Sequence, residues 1–175
     1  MKSLISKNDF VELFQFPESY LGDLVFVEST GWANKAQTEC LKKMLGYSAF
    51  KELSTAYNAD ATLATNEKWR AFVFGAEYTV NDVLYKWDGI KDTVVAYCFC
   101  EGIKKKMHPV LTTTGATVST NENEELVSVD HRFVPAWNQL IDYWVSAYDF
   151  LNYSEIDYTG VTFSYIGCYT NSLGI

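Results

Sequence analysis

A chain of 175 residues, 48% apolar and 21% charged, has the material for one domain with a buried core. Its net charge of -8 argues against a protein that neutralises phosphates, since nucleic-acid affinity rests on Lys and Arg, yet it permits a surface past which DNA slides. Twelve Tyr, eleven Phe and five Trp supply either an aromatic-rich core or aromatic contact surfaces.

In chain order, Ser6-Lys7-Asn8-Asp9 offers capping residues before Phe10, Val11, Leu13 and Phe14, which predicts a short helix closed by Pro17. Leu24–Val27 reads as a short strand or an extended arm. From Trp32 to about Tyr57, Ala33, Ala36, Cys40, Leu41, Met44 and Leu45 fall on one helical face. Gly46 punctuates that helix, and Ala49, Phe50 and Leu53 suggest a second, short one. A loop over 58–65, a helix from Asn66 to Phe74 stopped at Gly75, and an extended or turning link from Tyr78 to Tyr85 follow.

Charges at Lys86, Asp88, Lys91 and Asp92, then at Glu101 and Lys104–Lys106, bracket a run from Thr93 to Cys100 that carries none. A helix without a polar stripe is enclosed on all sides, so this run is the predicted centre of the core. His108–Asn123 is a long polar loop around Thr112, Thr113, Thr114 and Gly115, with a small hairpin as the alternative. Phe133, Trp137, Leu140, Trp144 and Leu151, with Ile141, Val145 and Tyr148 beside them, then mark a long helix with Pro135 inside or near its start, its long part beginning about there. Beyond Asn152 the period changes to two: Val161, Phe163 and Tyr165 alternate with Thr162 and Ser164, as in a half-buried strand. A lone strand needs a partner for its backbone groups, either its own domain or another subunit.

The fold class expected is therefore mainly α: a small helical bundle around a central buried helix, with a polar loop or hairpin and an extended C-terminal strand or arm. Residues 1–31 form an N-terminal arm with a short helix, 32–152 the helical domain and 153–175 the C-terminal arm.

Catalytic signatures are sparse. His108 and His131 stand in no zinc spacing, and there is no nucleophile elbow, Walker loop or dinucleotide fingerprint. Cys40, Cys98, Cys100 and Cys168 include no C-x-x-C pair and lie mostly in apolar runs, which predicts buried, inert thiols in a reducing compartment. A small cysteine-dependent enzyme is thus a distant alternative. Glu122, Glu124 and Glu125 suit a helix N-terminus better than a metal, and Lys104–Lys106 a helix C-terminus better than DNA. No catalytic, cofactor-binding or metal-binding residue is assigned. The start of the chain has no long apolar segment of a signal peptide, and no stretch approaches a membrane span.

Several short motifs occur in a fixed order. They are Ala36-Gln37, Leu41 and Leu45-Gly46-Tyr47; Trp69; Gly75-Ala76-Glu77-Tyr78; Trp87-Asp88-Gly89-Ile90 and Tyr97; the Thr-Gly loop; Ala136-Trp137-Asn138; and the close at Asn171–Ile175. From about Trp32 onward this series resembles the head-completion or head–tail connector proteins of phages infecting Bacteroidetes, including the neck ring proteins of crAss-like phages. Cys98-Phe99-Cys100 departs from the more aliphatic and aromatic central helix of that family, and the first thirty residues or so match only loosely.

The resemblance implies a virion protein made in the host cytoplasm and built into the neck. It implies a ring, usually of about twelve copies, beneath the portal, touching portal, other neck or tail proteins and the next copy. DNA passes through without specific binding, and no membrane or cofactor is involved. Candidate contact residues are Tyr158, Val161, Phe163, Tyr165, Ile166 and Tyr169, on the unpartnered C-terminal strand. Thr112–Gly115 is the candidate lumen or inter-ring loop. A tail-terminator, tail-completion or minor capsid protein is the alternative within the structural class.

Overall fold

The computed structural model describes residues 1–15, 31–106, 111, 112, 115, 116 and 129–169. It is mainly helical: α1 spans Trp32–Ala59, α2 Glu67–Phe74, α3 Lys91–Lys106 and α4 Val129–Tyr153. Two small antiparallel hairpins accompany the helices, β1 (Ala76–Val80) with β2 (Val83–Trp87), and β3 (Leu111–Thr112) with β4 (Gly115–Ala116).

The charge-free run behaves as its composition requires. Every residue from Thr93 to Cys100 is buried, so α3 is the axis on which α1 and α4 pack. Its buried side chains join those of α1 and α4 in one core, and burial of that shared apolar surface drives the packing.

α1 contains a break. Gly46 sits at φ 75° and ψ 167°, outside the helical region, and the residues on either side continue as helix. Only glycine adopts that backbone without strain. α2 starts at Asn66, whose side chain accepts from the Trp69 amide at 3.1 Å, and stops at Gly75.

Some of these expectations change and others are made specific. The N-terminal segment forms two 3-10 turns, Lys7–Asp9 and Glu12–Phe14, in place of one helix. It does not stand apart as an arm: Ile5 and Phe10 are buried in the common core, Phe14 meets Phe99 edge-on at 5.7 Å, and Asp9 pairs with Lys91 at 2.7 Å. The link from Tyr78 to Tyr85 is a hairpin whose two-residue turn, Asn81-Asp82, has positive φ at both positions. α4 begins at Val129, so of the two positions read for Pro135, inside the helix or near its start, it is inside. Finally, Val161–Tyr165 forms no β-ladder. Pro17, Leu24–Val27, Thr113, Thr114, Glu122, Glu124, Glu125 and Asn171–Ile175 lie outside the described residues.

One core takes side chains from all three spans expected from the sequence, from Ile5 through the helices to Tyr158.

Candidate interaction surface

The break at Gly46 strips the helix of partners for carbonyls just before it, and an orphan carbonyl in a packed region must find a donor. The donors come from the C-terminal segment. The Thr162 amide donates to the Leu45 carbonyl and the Ser164 amide to the Lys43 carbonyl, both at 3.1 Å. The alternation holds for Val161 and Phe163 against exposed Thr162 and Ser164 and fails at exposed Tyr165, and the segment's partner is a broken helix end in place of a sheet.

α4 holds the other side of the same segment. Trp144 Nε1 donates to the Ser164 carbonyl at 3.0 Å and Trp137 Nε1 to the Cys168 carbonyl at 2.9 Å. Two tryptophans seven apart share a helix face, and their indoles meet carbonyls four residues apart. Gly167 lies so close to Trp137 that a Cβ there would sit 2.7 Å from Cζ2 of the ring.

The six candidate contact residues therefore divide. Tyr158 is a core anchor: it is buried, its hydroxyl donates to the Lys68 carbonyl at 2.8 Å, and burial pushes its phenol well above the ordinary range. It packs against Trp69, Phe72 and Phe150, so it offers no contact surface to a partner. Val161, Phe163 and Ile166 are half-buried, with Phe163 between the rings of Trp144 and Tyr148. Tyr165 and Tyr169 are 70% and 57% exposed. The Tyr169 hydroxyl donates to Asp142 at 2.6 Å, and that bond holds its phenol above the usual value.

Val145 and Tyr148, placed by periodicity beside the buried stripe of α4, are exposed on the same helix that carries Asp142. With Tyr153 at the end of α4 and with Tyr165 and Tyr169, they make five exposed large apolar side chains on α4 and the C-terminal segment among the described residues. Rigid tyrosines with a polar tip suit a surface that meets another protein.

A cleft borders this region, lined by Met1, Asn34, Lys35, Thr38, Glu39, Lys42, Lys43 and Ser164. Three lysines gather there on an acidic chain. Lys43 pairs with Glu39 at 3.3 Å and donates to the hydroxyl of buried Tyr97 at 2.9 Å, whose phenol burial pushes far up.

Of the candidate loop, Thr112 and Gly115 pair across β3 and β4, so the hairpin alternative is the one found. Of the cysteines, Cys40, Cys98 and Cys100 are buried. Burial drives the Cys40 and Cys98 thiols far up, which leaves them protonated and poor nucleophiles at neutral pH. Cys168 is exposed, contrary to the expectation of inert burial for all four. Among the described residues no cluster of three or more His, Cys, Asp and Glu is arranged to hold a metal, and no helix is long and apolar enough to cross a membrane. No family model, curated protein or solved structure matches the chain.

Sequence reasoning missed the aromatic surface of α4. The signal was weak: Val145 lies well off the line Trp137–Leu140–Trp144–Leu151, but Tyr148 falls beside Trp137, nearer the stripe than the buried Ile141.

Proposed function

We propose that the protein is a structural subunit of a phage particle, a head–tail connector that forms a ring beneath the portal, extends the DNA channel and docks the tail. The observation that carries the reading is the set of exposed apolar side chains Val145, Tyr148, Tyr165 and Tyr169 on α4 and the segment packed against it. A protein that works by assembly needs such a surface, and in a closed ring each copy presents two different ones. The ordered motifs from Ala36-Gln37 to Ala136-Trp137-Asn138 supply the connection to the neck. The acidic balance suits a channel that lets DNA pass.

The test is the mass of the purified protein in solution, alone and mixed with portal. A ring, or a monomer that becomes bound to portal, supports the proposal. A monomer that ignores portal and binds tail tube belongs to a tail-terminator, and one that ignores both overturns the structural reading. Tyr165→Ser with Tyr169→Ser is expected to weaken the assembly while leaving the helical fold intact by circular dichroism.

A further inference from the structure

Two surface features of the chain complement each other: a protruding hairpin end and a lysine-lined cleft. The hairpin is fixed at its base, where the rings of Tyr78 and Trp87 each lie 5.5 Å from that of Phe150. Toward the turn it stands clear. Asn81 and Asp82 are exposed at its end, and Val83 and Tyr85 behind them are 52% and 46% exposed. Apolar side chains held out in water on a tight turn mark a contact surface. From Ala76 to Asp88 the chain carries carboxylates at Glu77, Asp82 and Asp88 against one ammonium, Lys86, which Asp88 already binds. The hairpin end is therefore apolar and negative.

The cleft that borders Ser164 has the opposite character. It holds about 680 Å³ and is lined by Lys35, Lys42 and Lys43, with hydroxyls from Thr38 and Ser164. The one carboxylate in its lining, Glu39, pairs with Lys43. Lys35 and Lys42 have no ion pair among the described residues. On a chain of net charge -8, three ammonium groups around one hollow make a local positive surface. Its surroundings are aromatic. Lys42 lies over the ring of exposed Tyr47 at 5.7 Å, and exposed Tyr165 follows Ser164.

The hairpin hangs on Phe150, and the Ser164 side of the cleft hangs on Trp144. These residues are six apart on α4, which is about 120° around its axis, so the hairpin and the cleft of one chain face different ways. A convex, negative end and a concave, positive hollow on different sides of one chain suit two copies in contact.

We infer that the turn end of the β1–β2 hairpin of one copy docks into the lysine cleft of a second copy, with Asp82 toward Lys35 and Lys42 and Val83 toward the tyrosines beside them. Every copy carries one hairpin end and one cleft, so the contact is head-to-tail and leaves an end and a cleft free for further copies. This deepens the ring reading by naming the two different surfaces it requires. It rests on that reading in that copies associate, not in their place in a virion.

Two variants each disable one of the surfaces. Asp82→Gly with Val83→Lys makes the hairpin end positive, and glycine keeps the positive φ of the turn. Lys35→Glu with Lys42→Glu reverses the cleft. Each alone is expected to lose the larger species that the wild type forms in sedimentation, alone or on portal, with circular dichroism unchanged. Mixed, the intact cleft of the first and the intact hairpin of the second are expected to give a 1:1 dimer and nothing larger. That dimer should dissociate as salt is raised, since exposed charges are screened. Either variant assembling as the wild type does overturns the inference, and so does a mixture in which the two stay apart. Portal binding is read separately, so the connector reading survives both results. A wild type whose copies never associate, alone or on portal, also overturns the inference. A 1:1 dimer from variants of a protein that ignores portal keeps the inference and removes the connector.

Discussion

The central helix α3 and the C-terminal segment 154–169 are both rich in apolar residues, yet they are held in opposite ways. In α3 the backbone bonds within the helix, so the side chains from Thr93 to Cys100 are free to pack and burial supplies the stability. The segment has no ladder of its own. The amides of Thr162 and Ser164 borrow carbonyls from α1, and the carbonyls of Ser164 and Cys168 borrow indoles from α4. Its tyrosines at 165 and 169 stay in water. Damage to α3 is therefore felt by the whole fold, whereas damage to the segment beyond Tyr158 is felt locally.

The strongest way to break that contrast is Phe99→Ala. Phe99 is 1% exposed, and its loss is expected to cost about 3–5 kcal/mol. Urea unfolding followed by fluorescence and circular dichroism should show one shifted transition. A loss well below that range would put α3 outside the cooperative core.

Gly167→Ala tests the other side. Its Cβ would meet the Trp137 ring, at an expected cost of about 1–3 kcal/mol, relieved by release of the segment. Amide exchange at Thr162 and Ser164 should accelerate while that at Val95 holds. Equal loss at Val95 would mean that segment and core open together.

Tyr158→Phe sharpens the boundary between the two regions. It removes the hydrogen bond to the Lys68 carbonyl and keeps the ring, so about 1 kcal/mol is expected. Because Tyr158 belongs to the core, the global urea midpoint should move, unlike the response to Gly167→Ala.

The smallest effect concerns the N-terminal segment. Burial pushes the Asp9 carboxyl up, but its bonds with Lys91 and Ser6 outweigh that and hold it below the ordinary value. A depressed carboxyl contributes stability above its unfolded pKa and loses it as pH falls through the folded one. Asp9→Asn should therefore cost a few tenths of a kcal/mol, about the worth of an exposed ion pair, near neutral pH. The difference from wild type should fade below about pH 3, as measured by thermal midpoints across the acid range.

Legibility in the sequence followed how local the deciding physics was. The enclosure of α3 could be read because a run without charge admits few other solutions, and Gly46 because a glycine in an apolar helix marks a break. The β1–β2 hairpin was missed although Asn81-Asp82 tolerates positive φ, because Val83, Leu84 and Tyr85 show no clean alternation of buried and exposed positions. The C-terminal segment was misread as a strand because period two describes any extended chain on a surface. Its partners, Lys43 and Leu45, lie far away in sequence and become acceptors only through the break at Gly46. Tyr158 was taken for a contact residue because a tyrosine at a turn looks the same whether its ring faces Phe150 or water.

The break in α1 ties the timing of folding to the order of synthesis. Lys43 and Leu45 are made early, and the amides that complete their carbonyls are among the later residues to be joined. Until Thr162 and Ser164 have left the ribosome, the middle of the first long helix stays open to water or to a foreign donor. A chain lacking those residues carries the first long helix with the Lys43 and Leu45 carbonyls still without the amides that complete them.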